Sequence, residues 1–294
     1  MENVLPIRSL HRHPAWGHRA ERARHQSESM ADVVRRSLAL EGQLAELRSE
    51  HDRLRHSIFE AAHVQRKLCG TRHLRRGSFE IASEIFPVRD LSGDFISVFE
   101  IEDELVFAIG DIAGKGLSAG MWFTHLVSML RLQCATHRSP AKALAAMNRD
   151  LLRLRLELPL TSLLLCRLKV KSGEMAYCNA GHPPALLLRR DGLVESLTEG
   201  GPLLGALDGA SFAKGNATLQ PGDTLVGYTD GIAECGNGTG TDFGMDRLLA
   251  AAQTSSGSSA SATLFSVLGA VEDFAGSHAR EDDISLIVVH RASV

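Results

Sequence analysis

Two apolar stretches separated by a two-residue turn constrain the fold of this chain more than any other feature. The stretches FISVFEI (95–101) and ELVFAIGD (104–111) flank a Glu-Asp pair. Runs rich in Val, Ile and Phe that are joined by two polar residues are typical of an antiparallel β-hairpin. In a hairpin, residues at equal distances from the turn lie opposite each other. This hairpin therefore places Asp94 opposite Asp111.

Two facing carboxylates indicate a cation site. Cross-strand neighbours lie about 4.5 to 5.5 Å apart at Cβ, and like charges at that distance are destabilising unless a positive charge lies between them. Further aspartates stand at comparable strand ends, namely Asp230 after the run DTLVGY and the pair 282–283 before ISLIVV. Any one of these aspartates has an ordinary explanation as a turn former, and only their joint arrangement favours a site.

The ligand type predicts which metal such a site binds. No His or Cys adjoins these carboxylates, and an all-oxygen set suits magnesium or manganese rather than zinc or copper. Two such ions about 3.5 to 4 Å apart bridge a water, lower its pKa and orient an in-line attack on phosphorus. The sequence therefore favours a dinuclear centre for phosphoryl chemistry.

A nucleotide-binding loop is the competing interpretation of FAIGDIAGKG (107–116). A P-loop requires Gly-Lys followed by Ser or Thr, whereas Lys115 is followed by Gly116, and the upstream Gly110 is one position too close. The glycines also miss the spacing of a dinucleotide-binding turn. We interpret Gly110, Gly114 and Gly116 as turn glycines that present Asp111.

The rest of the C-terminal part alternates short strands with helices. From about residue 78 onward, five further apolar runs bounded by Gly, Pro or Asp read as strands, and helical spacing begins near Ser118 and Pro140. This order predicts a layered α/β or α+β domain. The polar stretch 254–263 is expected to be a solvated loop before a last helix.

The N-terminal part has a different texture. Residues 1–29 carry prolines, arginines and few large apolar side chains, and we expect a disordered basic tail there. Residues 30–69 contain a seam of alternating four- and three-residue steps from position 33 to 68, interrupted only by Ser37, His51 and Gln65. A seam of about five heptads favours a parallel dimeric coiled coil over residues 31–68. The alternative is one amphipathic helix that packs on its own domain. In either case we expect residues 70–294 to form the C-terminal domain.

Composition and charge exclude several classes. The 294 residues are 44% hydrophobic and 23% charged, which is typical of a globular protein, and the net charge of −3 gives no reason to expect a nucleic-acid partner. We expect neither a transmembrane helix nor a secretory signal, and a cytoplasmic location follows as the default. The five cysteines are odd in number and scattered, which predicts reduced thiols rather than disulfides or a zinc site.

Seven ordered motifs resemble one protein family. They are SGDF, GDIAGKGLSAGM, NAGHPPALLLRRDG, LGALDG, LQPGDTLVGYTDGIAE, FGMDRL and DDISLIVV. In order and spacing they are similar to the motifs of the SpoIIE/RsbU-type bacterial serine phosphatases within the protein phosphatase 2C (PPM) superfamily. The resemblance runs from about Gln65 to Val289, and EAAHVQRKL resembles the helix that enters this domain.

This resemblance implies a fold and a set of metal ligands. The fold is α+β, a PPM-type αββα sandwich of two antiparallel sheets flanked by helices, here preceded by a coiled-coil helix, and the cofactors are two Mn²⁺ or Mg²⁺ ions. By motif position, Asp111 matches the bridging aspartate, and Ile112 would offer its backbone carbonyl to one ion. Asp230 and Asp282 match the second and third metal aspartates, and Asp94 matches the aspartate beside the metals.

Some positions depart from the family pattern or allow two interpretations. Asp283 stands where relatives carry Asp or Asn, so its role as a ligand is open. Ser92 replaces the usual Gly, and Ala113 replaces a common small hydroxyl residue, although neither change removes a carboxylate. A general-acid role for His182 is the weaker interpretation, because its motif favours a strand-to-turn geometry. Arg89 lies nearby but is not assigned to phosphate.

The resemblance further implies an activity and partners. The expected reaction is hydrolysis of a phosphoserine or phosphothreonine, on a STAS-type anti-anti-sigma protein within a partner-switching circuit. The heptad segment is then expected to form a homodimer and to carry regulation into the metal site. The alternative is a catalytically silent scaffold that dimerises through the same segment and binds a partner through a phosphatase-like domain. Retention of every metal aspartate speaks against this alternative.

Overall fold

A computed structural model describes residues 14–69, 72–154, 159–255 and 257–293. The chain divides into two compact units after Ser57. The helices are α1 (Pro14–Leu68), α2 (Leu117–Thr136), α3 (Pro140–Arg153), α4 (Asp230–Ala233), α5 (Gly244–Thr254) and α6 (Ala260–Ala275). None of the helices in these ranges is long and apolar enough to cross a membrane.

Among the described residues of the second unit, twelve strands form two six-stranded sheets. The strands are β1 (His73–Arg76), β2 (Phe79–Phe86), β3 (Phe95–Ile101), β4 (Glu104–Ile112), β5 (Thr161–Lys169), β6 (Glu174–Ala180), β7 (Ala185–Leu188), β8 (Val194–Leu197), β9 (Gly200–Gly201), β10 (Gly215–Thr218), β11 (Thr224–Tyr228) and β12 (Ile284–Arg291). One sheet has the order β1-β2-β12-β11-β7-β8, and the other has the order β10-β6-β5-β4-β3 with β9 beside β6. Pairing is antiparallel except between β6 and β9.

Three apolar cores separate four layers of structure. One core lies between the sheets and includes Phe107 from one sheet and Ile287 from the other. A second core packs α2 and α3 on the outer face of the β3–β6 sheet, and Phe123 lies in it. The third packs α5 and α6 on the outer face of the other sheet, around Val226 and Leu264. The sandwich of two sheets flanked by helices that the sequence predicts is therefore confirmed.

The predicted hairpin is present in the predicted register. Phe95 pairs with Gly110 and Ile101 with Glu104, so the turn consists of Glu102 and Asp103. Glu102 adopts a left-handed backbone conformation with φ of 54°. When this register is extended by one residue beyond the Phe95–Gly110 pair, Asp94 lies opposite Asp111, as predicted.

Helix α1 begins inside the stretch predicted to be a disordered tail. Residues 1–13 lie outside the described residues, but the backbone is helical from Pro14 onward. Proline is well tolerated in the first helical turn, where its missing N–H has no intrahelical partner. The Ala, Arg, Glu and Gln residues that follow have high helix propensity. This propensity, rather than the scarcity of apolar side chains, explains the helix in this stretch.

The heptad seam of α1 divides into two parts. Its side chains from Val33 to Leu54 are exposed, with Leu44 at 47% and Leu47 at 63%. In the last turns, by contrast, Ala62 and Gln65 are buried within the unit that starts at Ile58. The compact unit thus begins earlier than the predicted boundary at residue 70, because the end of α1 supplies part of its packing.

Two local predictions are corrected by the structure. The polar stretch 254–263 is not a loop throughout, because α6 begins at Ala260, where the Ser259 hydroxyl accepts a hydrogen bond from the Ala262 N–H. This is the usual role of a helix N-cap serine. Gly110 is also not a turn residue. It lies within β4, where a Cβ would come within 2.7 Å of the Phe95 ring.

Candidate metal centre

The predicted aspartates come from three chain segments that meet at one end of the sandwich. Asp94 and Asp111 belong to the β3–β4 hairpin of one sheet. Asp230 starts α4 two residues after the end of β11, and Asp282 lies shortly before β12. β11 and β12 are paired neighbours in the other sheet. Two sheets that pack face to face bring these strand ends to a common edge.

The charges of these aspartates act on one another. Burial, together with the charges of Asp230, Asp282 and Asp283, raises the pKa of Asp111 to about 6. Asp94 is 3% exposed. Its pKa is raised well above the ordinary value by burial, and the neighbouring Asp111 and Asp283 charges add to this effect. Buried carboxylates in this arrangement favour either protonation or a bound cation.

The Asp94 side chain is held in place. The Thr229 hydroxyl donates a hydrogen bond to its Oδ2 at 2.8 Å. Thr229 is completely buried and directly precedes Asp230. The segment that carries one aspartate therefore positions another.

Asp283 has a structural role in this arrangement. Its Oδ1 accepts a hydrogen bond from the Val88 N–H at 2.7 Å. Its Oδ2 accepts from the Ser92 hydroxyl at 2.7 Å and from the Gly93 N–H at 2.8 Å. Both carboxylate oxygens thus secure the loop that leads into Asp94. This explains the acid at position 283 without a metal.

Asp282 lies on the solvent side of the cluster. Its side chain is 51% exposed, and the Lys115 ammonium lies 2.9 Å from its Oδ1. The same ammonium donates to the Glu281 carbonyl at 2.7 Å. Lys115 therefore ties the turn after β4 to the segment before β12.

Two glycines allow the backbone to come close at this edge. A Cβ on Gly93 would lie 2.9 Å from the Ile112 carbonyl oxygen, 3.0 Å from the Gly114 carbonyl oxygen and 3.2 Å from Asp111 Oδ1. A Cβ on Gly231 would lie 2.0 Å from the Asp283 carbonyl oxygen. Gly114 and Gly116 have φ of 111° and 83°, which confirms them as turn glycines.

The chemistry of these groups fits a hard divalent cation. Carboxylate and carbonyl oxygens surround the space that the missing Cβ of Gly93 leaves open, and these are the ligands that magnesium and manganese prefer. Within the described ranges, no three His, Cys, Asp or Glu side chains are already arranged as a metal-binding group. Closing the ligand set therefore requires side chains to turn inward, and Asp282 would have to exchange Lys115 for the ion.

His182 is buried beside this edge and is not suited to proton donation. The side chain is 4% exposed, and burial lowers its pKa to about 3, so the ring is neutral at physiological pH. Asn179 accepts a hydrogen bond from the His182 N–H at 2.7 Å and donates one to the His182 carbonyl at 2.8 Å. The strand-to-turn geometry that the motif predicts is present.

Gln65 is a contact to the site that sequence reasoning missed. Its Nε2 donates to the Ser92 carbonyl at 2.8 Å, and its Oε1 accepts from the Ser92 N–H at 3.1 Å. Ser92 in turn contacts Asp283 and precedes Gly93 and Asp94. Two signals were present in the sequence, a polar residue in an apolar seam and a serine where the family pattern has glycine.

Comparison with known proteins places the chain in a family. The family model described as Stage II sporulation protein E (SpoIIE) matches residues 101–292. Protein IcfG of Synechocystis is 27% identical over 58% of this chain, and the match covers 31% of IcfG. The phosphoserine phosphatase RsbU of Bacillus subtilis is 24% identical over 83% of this chain and 73% of its own length.

Solved structures share the fold. The RsbU and RsbW domains of a Mycobacterium tuberculosis protein match with a TM-score of 0.63 and 25% identity, over 73% of this chain and 60% of that one. The SiaA-PP2C domain of Pseudomonas aeruginosa matches with a TM-score of 0.69 and 18% identity, over 82% of this chain and 98% of that one. With these folds and a family match over most of its length, the chain belongs to the Stage II sporulation protein E (SpoIIE) family.

Proposed function

We propose that this chain is a metal-dependent protein serine/threonine phosphatase. The observation that carries the proposal is the group of carboxylates at one end of the sandwich, where Asp94 is buried and Asp111 half-buried among like charges. Isolated buried charges are costly, so such a group is retained only where it has a partner or a task. The name of RsbU as a phosphoserine phosphatase supports the same reaction class.

The residues divide into ligands and positioning groups. Asp111, Asp230 and Asp282, the Ile112 carbonyl and Asp94 would hold two Mn²⁺ or Mg²⁺ ions. When bound, such ions supply an activated water and neutralise charge in an in-line displacement at phosphorus. The structure of RsbX in complex with magnesium supports this choice of metal.

The protein residues contribute the geometry. Asp283 fixes the loop that presents Asp94, through its hydrogen bonds to Val88, Ser92 and Gly93. Thr229 fixes the Asp94 carboxylate itself. Because these loops are already fixed, cation binding would require only the ligand side chains to turn inward.

The proposed substrate is a phosphoserine or phosphothreonine on a STAS-type anti-anti-sigma protein. A neighbouring solved structure with RsbU and RsbW domains in one chain supports a partner-switching context, and another concerns the bacterial stressosome. A cytoplasmic location is part of this proposal. It is supported by five free cysteines, four of them buried, which suits a reducing compartment.

Hydrolysis of an aryl phosphate tests the activity. Chelator is expected to abolish turnover by the full chain, and manganese is expected to restore it. A phosphorylated STAS protein then tests the substrate. A full chain that hydrolyses neither compound at any manganese concentration would support the silent scaffold instead.

We also propose that α1 dimerises the protein through its exposed seam. Val33, Leu40, Leu44, Leu47 and Leu54 are each at least 47% exposed, which is unusual for apolar residues at regular spacing on one helix. A second copy of α1 would bury them in a coiled coil.

Charges placed in the seam test this dimer. Leu44→Lys combined with Leu47→Lys would bury ammonium groups in a coiled coil, which is costly without partners. Sedimentation at tens of micromolar is expected to show dimers for the wild type and monomers for the double variant, with Leu38→Lys, outside the seam, as the control. A monomeric wild-type chain at that concentration would contradict the dimer.

A further inference from the structure

An ammonium group of the chain itself is bound to one of the proposed metal ligands. The Lys115 Nζ lies 2.9 Å from Oδ1 of Asp282 and donates a hydrogen bond to the Glu281 carbonyl at 2.7 Å. The Asp283 N–H donates to the same Asp282 oxygen at 2.8 Å. Two donors therefore hold this one oxygen, and we call the ion pair of Lys115 and Asp282 the lysine latch.

The turn that carries Lys115 is anchored on both sides. Lys115 stands between Gly114 and Gly116, whose positive φ angles define the course of the turn. Before the turn, the Ala113 N–H donates a hydrogen bond to the Leu160 carbonyl at 2.8 Å. After it, α2 begins at residue 117. The ammonium therefore reaches Asp282 from a backbone whose position is fixed.

The latched carboxylate lies close to the candidate metal centre. The charge of Asp282 contributes to the raised pKa of Asp111, so the two side chains are near enough to interact. The Asp282 side chain is nevertheless 51% exposed, and its bonded oxygen is directed at Lys115. An inward turn of this carboxylate would break the ion pair.

We propose that Lys115 is an internal competitor of the metal ion, because the lysine latch withholds the Asp282 carboxylate from the proposed metal centre. The proposal rests on the proposed function, since it takes Asp282 to be a metal ligand. A divalent ion and an ammonium on one carboxylate would lie within a few ångström of each other, and like charges at that distance repel. The ion and the ammonium therefore bind Asp282 alternately.

The strength of the ion pair sets the size of the effect. The apparent affinity of a ligand falls in proportion to the fraction of the protein that is competent to bind it. Lys115 and Asp282 have side chains that are 36% and 51% exposed, and ion pairs at such positions shift an equilibrium by up to about fivefold. Removing the ammonium should therefore tighten metal binding by a few fold.

The opposite end of the β3–β4 hairpin offers a matched control. There the Lys171 ammonium lies 2.8 Å from Oδ2 of Asp103, in the hairpin turn. This is again a lysine–aspartate pair, but no predicted metal ligand stands in that turn. Lys171→Gln therefore reports the general effect of losing such a pair.

Arg89 offers a second control, for charge alone. Its guanidinium lies 3.9 Å from the position that a Cβ on Gly116 would take, beside the turn that carries Lys115. Arg89→Gln removes a positive charge from this edge and leaves the lysine latch in place.

The experiment measures manganese affinity of the full chain by electron paramagnetic resonance of free Mn²⁺, alongside urea unfolding. Lys115→Gln is expected to bind manganese about three- to fivefold more tightly than the wild type. Lys115→Arg, which keeps a cation, and the two controls Lys171→Gln and Arg89→Gln are expected to stay within about twofold of the wild type. Damage to the fold would weaken binding, so a gain in affinity reports the latch itself.

A double variant tests whether Lys115 acts through Asp282. Asp282→Asn removes the partner of the latch, so adding Lys115→Gln to it is expected to change manganese affinity no further. A further gain in the double variant, an equal gain in either control, or wild-type affinity in folded Lys115→Gln overturns the inference. In each of these cases a wild-type chain that binds manganese and hydrolyses an aryl phosphate keeps the proposed function. A wild-type chain that does neither refutes the proposed function, and the inference falls with it.

Discussion

The two ends of β11 bury carboxylates in opposite electrostatic settings. Before the strand, Asp223 is 2% exposed and lies 2.7 Å from the Arg189 guanidinium. It also accepts hydrogen bonds from the backbone N–H groups of Arg190 and Gln220. Beyond the strand, Asp94 is equally buried, but the charges nearest to it belong to other aspartates.

The difference shows that burial alone does not identify a functional carboxylate. Asp223 has a cation and N–H donors within the protein, so its charge is compensated when the chain folds. Asp94 accepts a hydrogen bond from a hydroxyl group, but both Asp94 and Asp111 share their space with further negative charge. One end of the sandwich is electrostatically complete, and the other retains negative charge that the proposed cations would compensate.

The largest expected effect is at the uncompensated end. Asp111→Asn and Asp230→Asn are each expected to lower manganese-dependent turnover by at least about two orders of magnitude, which is comparable to removing a major electrostatic contributor. The folded structure should persist, since each change removes negative charge from a repulsive group. Steady-state kinetics at saturating manganese checks this. Near-native turnover in either variant would falsify its assignment as a ligand.

The reverse is expected at the compensated end. Asp223→Asn is expected to lower the free energy of unfolding by about 2 kcal/mol, because it leaves Arg189 without its buried carboxylate. Urea unfolding measures this loss, and Asp208→Asn, at an exposed position, is the control. The manganese concentration that the folded variant needs for half-maximal turnover should match that of the wild type. A shift in that dependence would mean that the two ends are not independent.

The Gln65 contact predicts how strongly α1 influences the uncompensated end. Gln65→Ala removes both hydrogen bonds to Ser92 and loosens the loop that carries Asp94. The manganese needed for half-maximal turnover is expected to rise about five- to thirtyfold, or about 1 to 2 kcal/mol of coupling. Gln43→Ala, at an exposed position of the same helix, is the control.

Truncation separates this contact from the rest of the helix. Residues 58–294 keep Gln65, whereas residues 70–294 lack it. If regulation enters through α1, the shorter form should need more manganese than the longer one at equal folded concentration. Identical manganese dependence in the two forms and in Gln65→Ala would restrict α1 to assembly.

The smallest expected effect concerns pH. Burial lowers the pKa of His182 to about 3, whereas an unfolded histidine titrates near 6.5. As pH falls below about 6.5 the unfolded chain takes up a proton that the folded chain does not, so this group lowers stability toward acid, by at most about 1.4 kcal/mol per pH unit. His182→Leu should show a shallower acid slope than the wild type in urea unfolding with chelator present. Equal slopes would mean that the ring is protonated in the folded state.

Several features of the site were predictable because they depend on local pattern. The hairpin register followed from the two-residue turn, since side chains alternate with a period of two and the turn fixes which positions face each other. That register alone put Asp94 opposite Asp111. The strands that lead to Asp230 and Asp282 followed from apolar runs next to Asp-Gly and Asp-Asp turns.

Other features depend on contacts between distant segments and were not predictable. The hydrogen bonds of Asp283 to the loop before β3 span about 190 positions of the chain, and those of Gln65 to Ser92 join a helix end to a strand start. Heptad spacing indicated an apolar seam, but it did not show that the last turns of α1 would be buried within the second unit.

The sequence by itself determined the strands, the main helices and the carboxylates at the strand ends, because periodicity and turn chemistry act over a few residues. Only the tertiary structure decided which aspartates share one space, which one secures a loop and which one bonds Lys115. The physical reason is that a carboxylate's role depends on its partners, and these partners come from segments that meet only when the two sheets pack together.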